Sequence, residues 1–353
     1  MSAPVLRQAV AALLAASLAG PALPCTTFVS AGHDGPLFGR NYDFEFGEAL
    51  VVVNPRGLRK SSDTGAGAGE RAARWTARHG SVTFNQFGVG YPTGGINEAG
   101  LVVELLWLDG THYPDGDHRP TVATLEFIQY LLDTSGTLDE ALAAAAEVRI
   151  AGRVPLHFLL ADAQGGAASV EFLAGRMVVH RGERMPVKVL ANDSYQSSVA
   201  QLAQYRGFGG SQPLPAGSQS PARFVRAAAG LQDGPPDNPG QALALLDQVA
   251  QPGATHWQIV YEMRRGVVHY RTASHRPLRQ LRLAAIDFHC NAGLRLMDID
   301  TGEGDLSQRW VPYRRELNEA QLRTAYRKTS FLRHLPPEVA ARDAEAPERM
   351  RCP

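Results

Sequence analysis

The 353-residue chain has little cysteine, no net charge and no late hydrophobic run, and each shortage closes a class of explanation. Lys plus Arg number 35 and Asp plus Glu number 35, so no basic field exists to hold a phosphate backbone, and nucleic acid is not an expected partner. Beyond the first two dozen residues no segment offers the roughly 20 uninterrupted apolar residues of a membrane helix. No repeat of fixed period appears, which disfavours a solenoid. A Gly-x-Ser-x-Gly elbow, a phosphate loop and a dinucleotide fingerprint are all missing. The hydrophobic fraction of 44% is nevertheless enough for a substantial core.

The beginning of the chain differs from the rest. A short segment with one charge, Arg7, precedes the apolar run Ala9–Gly20, and small residues at Gly20 and Ala22 suit a signal-peptidase cut after Ala22. Residues 1–22 are therefore expected to be a signal peptide and 23–24 a short leader ahead of Cys25. The mature protein is expected to be periplasmic or secreted, with no membrane association once the signal is gone. Only Cys25, Cys290 and Cys352 are present. In an oxidising compartment an odd count leaves one thiol over; pairing Cys290 with Cys352 would leave Cys25 free.

From Cys25 onward, short strands separated by turns alternate with blocks of helical periodicity. Cys25–Ala31 and Leu37–Phe44 flank the turn-rich His33-Asp34-Gly35-Pro36 and read as a hairpin. Helices are expected over Val122–Leu132, Thr137–Val148, Tyr195–Tyr205, Ala222–Leu231 and Gln241–Val249, with Thr137 as a cap. Late strands are expected at Trp257–Glu262, Val267–Thr272 and Gln280–Ile286. A charged tail from about residue 305 reads as helical over Glu316–Leu332. This pattern argues α+β with helices on sheet faces, and residues 25–353 show no convincing internal boundary.

Cys25 is where chemistry can sit. If proteolysis makes it the first residue, it carries a thiol together with an α-amine whose pKa of about 7.7–8.0 suits a general base. A threonine activated by its own N-terminal amine is the known parallel. A buried structural cysteine, a disulfide partner and a lipidated cysteine are the competing readings. Strand alternation sends Asn41, Asp43 and Glu45 to one face and Arg40, Tyr42 and Phe44 to the other unless a bulge intervenes. An Asp can hold the amine and an Arg can lower a thiol pKa, although these two residues taken by themselves read better as an exposed Arg/Asp pair on an edge strand. His112, Asp115, Asp117 and His118 lack the spacing of a zinc motif. Asp298, Asp300 and Asp305 miss the pattern of a calcium loop. His157 and His269 read as core histidines.

Cys25-Thr26-Thr27-Phe28 followed by Phe38-Gly39-Arg40-Asn41-Tyr42-Asp43 resembles the opening of the choloylglycine hydrolase and penicillin V acylase family. Gly95–Leu101, Leu190–Asp193 and Ala222–Arg226 match further family segments in order. The resemblance implies a four-layer αββα sandwich of the N-terminal nucleophile type and hydrolysis of linear amides without metal or organic cofactor. Carried over by position, Cys25 is nucleophile and, through its amine, base. Asp43 positions the amine or thiol, and Arg40 supports the thiolate. Asn192 donates to the oxyanion, and Arg223 completes the polar network. Where bile-salt-type members have an Asn, this chain has Trp107, which shifts the expected substrate towards aromatic or aliphatic acyl groups; Tyr42 and Phe44 are further candidate substrate contacts, and a plain core role is the alternative for all three. Penicillin V-like phenoxyacyl amides, N-acyl homoserine lactones and conjugated bile acids are the ordered small-molecule candidates. A homo-oligomer stays open, and an exported non-catalytic binding or structural protein of the same fold is the rival reading.

Overall fold

A computed structural model describes residues 25–63 and 71–353. The signal-peptide and leader readings, and most of the Ser61–Gly69 loop, fall outside the described residues.

The expected hairpin forms. β1 (Thr26–Ser30) and β2 (Leu37–Asp43) pair antiparallel with Thr26 opposite Asn41 and Thr27 opposite Arg40. Gly39 is required here: a Cβ at that position would lie 2.4 Å from the Phe28 ring. These strands belong to a seven-stranded sheet in the order Val189–Leu190, β1, β2, Thr255–Glu262, Val267–Thr272, Arg279–Arg282, Gly304–Asp305. A nine-stranded sheet runs from Arg176–Arg181 at one edge, through Val102–Trp107 and β3 (Leu50–Asn54), to Val311–Pro312 at the other. Nearly every central strand is buried along its whole length, as expected when both faces are covered.

The two sheets face one another. Aromatic side chains from both meet between them: Phe84 packs against Trp257, Tyr261 and Tyr270 at ring separations of 5.3–6.4 Å. Helices α1 (Glu126–Thr134) and α2 (Leu138–Glu147) lie on the outside of the nine-stranded sheet, and α3 (Tyr195–Leu202), α4 (Ser220–Asp233) and α5 (Pro239–Gln248) on the outside of the other. The result is the expected αββα order. Thr137 caps α2 by accepting from the Glu140 amide at 3.2 Å.

Three expectations shift. The stretch Thr121–Val122 is a short strand, so α1 begins at Glu126 rather than Val122. Arg279–Arg282 is followed by a 3₁₀ turn instead of continuing to Ile286. The tail helix α6 spans Arg315–Lys328 and stops short of Leu332, before α7 (Pro337–Asp343). Cys290 and Cys352 form a disulfide, leaving Cys25 as the free cysteine.

Candidate active site

Cys25 immediately precedes β1 and is 3% exposed. It lies on the wall of a cavity of about 590 Å³, a size suited to a drug-sized ligand. Its thiol approaches the Asp43 carbonyl oxygen at 3.7 Å. Burial pushes the Cys25 thiol up from its ordinary value; the Arg40 charge opposes that shift. A thiol in this setting needs a base to remove its proton at neutral pH.

Arg223 gathers the expected site residues around one guanidinium. It comes from α4, is fully buried, and donates through Nη1 to the Cys25 carbonyl and the Thr26 hydroxyl, both at 2.5 Å. Through Nη2 it donates to Asn192 Oδ1 at 2.8 Å, and through Nε to the Ser218 carbonyl at 2.8 Å. Burial draws its pKa down to about 10. Asn192 thus has its amide orientation fixed: with Oδ1 accepting from Arg223, Nδ2 faces the other way and donates to the Trp107 carbonyl at 2.8 Å. One N–H of that amide group is used there, and an amide nitrogen carries two.

Asp43 departs from strict alternation. Tyr42, Asp43 and Phe44 are consecutive yet all three line the cavity. The cause is a register shift in the pairing of β2 with the neighbouring strand, between Thr255 and Trp257, opposite Asp43 and Tyr42. Asp43 Oδ2 accepts from Gln251 Nε2 at 2.6 Å, while Oδ1 is buried without a hydrogen-bond partner among the described residues. Burial raises the Asp43 carboxyl to about 6, against the opposing effects of the neighbouring Thr255 hydroxyl, the Arg223 charge and the Gln251 hydrogen bond.

Arg40 has a partner that the local sequence does not show. It points between the sheets, with its guanidinium 4.7 Å from the Tyr42 ring centroid. However, it is paired with Glu104, and both side chains are fully buried. Arg40 also donates to the Thr93 and Leu105 carbonyls at 2.8 and 3.1 Å. Its charge is therefore shared with a carboxylate and is not reserved for the thiol. Glu104 accepts in turn from the Tyr261 hydroxyl at 2.5 Å. Gly94 makes this arrangement fit, because a Cβ there would overlap the Glu104 carboxylate. No motif marks Glu104 in the sequence; its one signal is being a single acid inside the apolar Leu101–Leu108.

The three aromatic candidates all reach the cavity. Tyr42 stacks on Trp257 with centroids 4.0 Å apart and donates to Gln86 Oε1 at 2.5 Å. Trp107 is half-buried and donates to Asp109 at 2.6 Å, its ring 6.1 Å from Phe331. Phe44 packs edge-on against Phe46 and Phe87. Two decoys are otherwise engaged: Asp117 is tied to Arg119, and Asp300 accepts from Thr272 and Ser274. His157 is fully buried between Glu171 at 3.2 Å and the Ala191 carbonyl at 2.8 Å.

The description "linear amide C–N hydrolases, choloylglycine hydrolase family" matches residues 25–233. A penicillin V acylase from Pectobacterium atrosepticum is 29% identical over 227 residues, which is 58% of this chain and 59% of that protein; the matched region thus spans well under two thirds of that relative. A solved penicillin V acylase from Agrobacterium tumefaciens superposes with a TM-score of 0.71 at 27% identity, covering 82% of this chain and 98% of that one. A conjugated bile acid hydrolase variant from Clostridium perfringens shares the fold, with a TM-score of 0.67 at 18% identity, covering 79% and 98%. The match from Cys25 to residue 233 takes in every residue gathered around Arg223, and the chain belongs to the choloylglycine hydrolase family of linear amide C–N hydrolases.

Proposed function

We propose that this protein is an exported cysteine amidohydrolase that cleaves the amide of a small N-acyl compound through a thioester on Cys25. The observation that carries the reading is the junction at Arg223, which ties the carbonyl of Cys25, a residue on the wall of a mainly apolar cavity, to the Asn192 side chain. Once the residues ahead of Cys25 are removed, its α-amine takes the thiol proton as the sulfur attacks the acyl carbonyl carbon. The carbonyl oxygen becomes an oxyanion, to which the Asn192 amide donates; such a donor is worth about 10²–10³ in rate. Collapse expels the amine with the proton held by the α-amine, leaving a thioester. Water, deprotonated by the same amine, then releases the acid.

The unpartnered, buried Asp43 Oδ1 suits the ammonium or amine of a freed Cys25. Trp107, Tyr42 and Phe44 on the cavity wall favour an aromatic or alkyl acyl group, and penicillin V-like phenoxyacyl amides, penicillin V being named in both acylase relatives, rank ahead of acyl homoserine lactones and conjugated bile acids. The Cys290–Cys352 disulfide supports an oxidising compartment. Intact-mass and N-terminal analysis of protein from the periplasm or medium should show a chain starting at Cys25 that hydrolyses members of an N-acyl amide panel. A chain that keeps residues ahead of Cys25, or that cleaves none of the panel, would favour the non-catalytic reading.

The raised Asp43 carboxyl gives a pH expectation. Its folded value of about 6 lies above the ordinary carboxyl value of 3.8. Proton binding therefore favours the folded state, and this contribution, complete below pH 3.8, is lost as pH rises through about 6. Activity runs the opposite way, since the ionised carboxylate is the form that holds the amine. A freed ammonium nearby lowers the carboxyl pKa, so log kcat/KM should steepen at or below about pH 6. In Asp43→Asn that extra steepening should vanish and the overall rate fall. Steepening that persists in the variant would remove Asp43 from this role.

A further inference from the structure

The cavity is finished by a part of the chain far beyond the family match. Tyr326, Phe331, Leu332, Arg342 and Asp343 all contribute to its wall, whereas the match ends at residue 233. On the reading of this cavity as an acyl site, we propose that the C-terminal segment is its specificity wall, with Phe331 and Leu332 setting the size and shape of the acyl group accepted.

The attachment of the segment is specific to the pocket's own loops. Ser330 donates through its amide and hydroxyl to the Glu45 carboxylate at 2.9–3.1 Å. Glu45 lies next to Phe44, and Ser330 next to Phe331, so one contact fixes an aromatic ring on each side. Gln321 donates to the Glu48 and Gln86 carbonyls at 2.9 and 2.7 Å, and Asn318 accepts from the Val89 amide at 2.7 Å. Gln86 and Val89 bracket Phe87, another wall residue. Gln86 also accepts the Tyr42 hydroxyl, which links the tail by two hydrogen bonds to the residue stacked beside the Cys25 site. At the far end Arg351 exchanges backbone hydrogen bonds with Arg59, and Cys352 is bonded to Cys290. Such anchoring holds the segment from both ends.

Within the segment, burial divides by role. Leu322, Ala325, Ala340 and Ala344 are buried where α6 and α7 pack together. Tyr326, Phe331 and Leu332 remain only half-buried and face the cavity. Large apolar side chains left partly uncovered on a cavity wall are available to a ligand's apolar surface. Phe331, with its ring 6.1 Å from Trp107, closes an aromatic pair across the wall, suited to a planar acyl group.

The test uses the full-length processed protein and its Phe331→Ala, Phe331→Leu and Leu332→Ala variants. Two readouts are taken. One is kcat/KM for N-phenoxyacetyl, N-hexanoyl and N-decanoyl p-nitroanilides; the other is calorimetric binding of the three free acids. Phe331→Ala should raise the decanoyl-to-phenoxyacetyl ratio by about tenfold in kcat/KM and shift the acid affinities in the same direction, with Phe331→Leu in between. Melting temperatures close to wild type would show that folding is intact, since Phe331 is half-buried. Ratios within about twofold of wild type in both readouts, or no acid binding to any form, would overturn the proposal. Wild type that cleaves no anilide while the acid affinities shift as expected would uphold the wall and sink the hydrolase reading; cleavage with unmoved ratios would do the reverse.

Discussion

Cys25→Ala is expected to lower hydrolysis of every accepted N-acyl amide by on the order of 10⁴ or more, leaving the fold in place. Removal of a nucleophile from a hydrolase built around an acyl-enzyme has effects of that size or larger. Cys25 is buried at 3% exposure, so the loss of one sulfur leaves only a small cavity, costing about 1 kcal/mol or less. Thermal melting of the variant should therefore stay close to wild type. Acid-quenched wild type mixed with a slow amide should carry the acyl mass, and the variant should not. Cys25→Ser provides a volume control: it keeps a side chain that can accept and donate, but its hydroxyl lacks the intrinsic nucleophilicity of sulfur. A purified Ala variant retaining a tenth of wild-type activity would show that some other group attacks.

The elements that were legible in the sequence were those set by local patterning. The turn at His33–Pro36 and the apolar runs around it produced the β1–β2 hairpin, and Thr137 and the acidic first turn produced the start of α2. The residues gathered at Arg223 were legible only through a family pattern, because Cys25, Asn192 and Arg223 lie up to 198 positions apart and no periodicity links them. What stayed hidden depends on contacts between layers. Arg40 looked like an edge-strand charge, yet β2 is central and its partner Glu104 arrives from the opposite sheet. The bulge that turns Asp43 into the cavity is a mismatch between β2 and a strand more than 200 residues later. The tail's charge and helical periodicity gave its secondary structure, but its seat on Glu45, Glu48 and Gln86 is a matter of tertiary packing.

Glu104 is the position where a single substitution should cost the most stability. Replacing it with glutamine keeps the volume and some hydrogen bonding but leaves the Arg40 guanidinium buried between the sheets without a countercharge. Breaking a buried pair in this way typically costs about 3–5 kcal/mol, a large part of the 5–15 kcal/mol that holds a domain folded. Urea denaturation of Glu104→Gln should show a midpoint well below wild type with an unchanged slope. The reciprocal change separates charge from packing. In Arg40→Met combined with Glu104→Leu both charges leave together, and apolar replacement of a whole buried pair is often neutral or stabilising. The double variant should thus be much more stable than either single variant, Arg40→Met or Glu104→Leu, and the cycle closed by these three should give a coupling energy above about 1 kcal/mol. Its activity should remain low, because the Arg40 charge that opposes the rise of the Cys25 thiol is gone. Additive losses in the double variant would mean that Arg40 and Glu104 are held independently, by the Thr93 and Leu105 carbonyls on one side and the Tyr261 hydroxyl on the other.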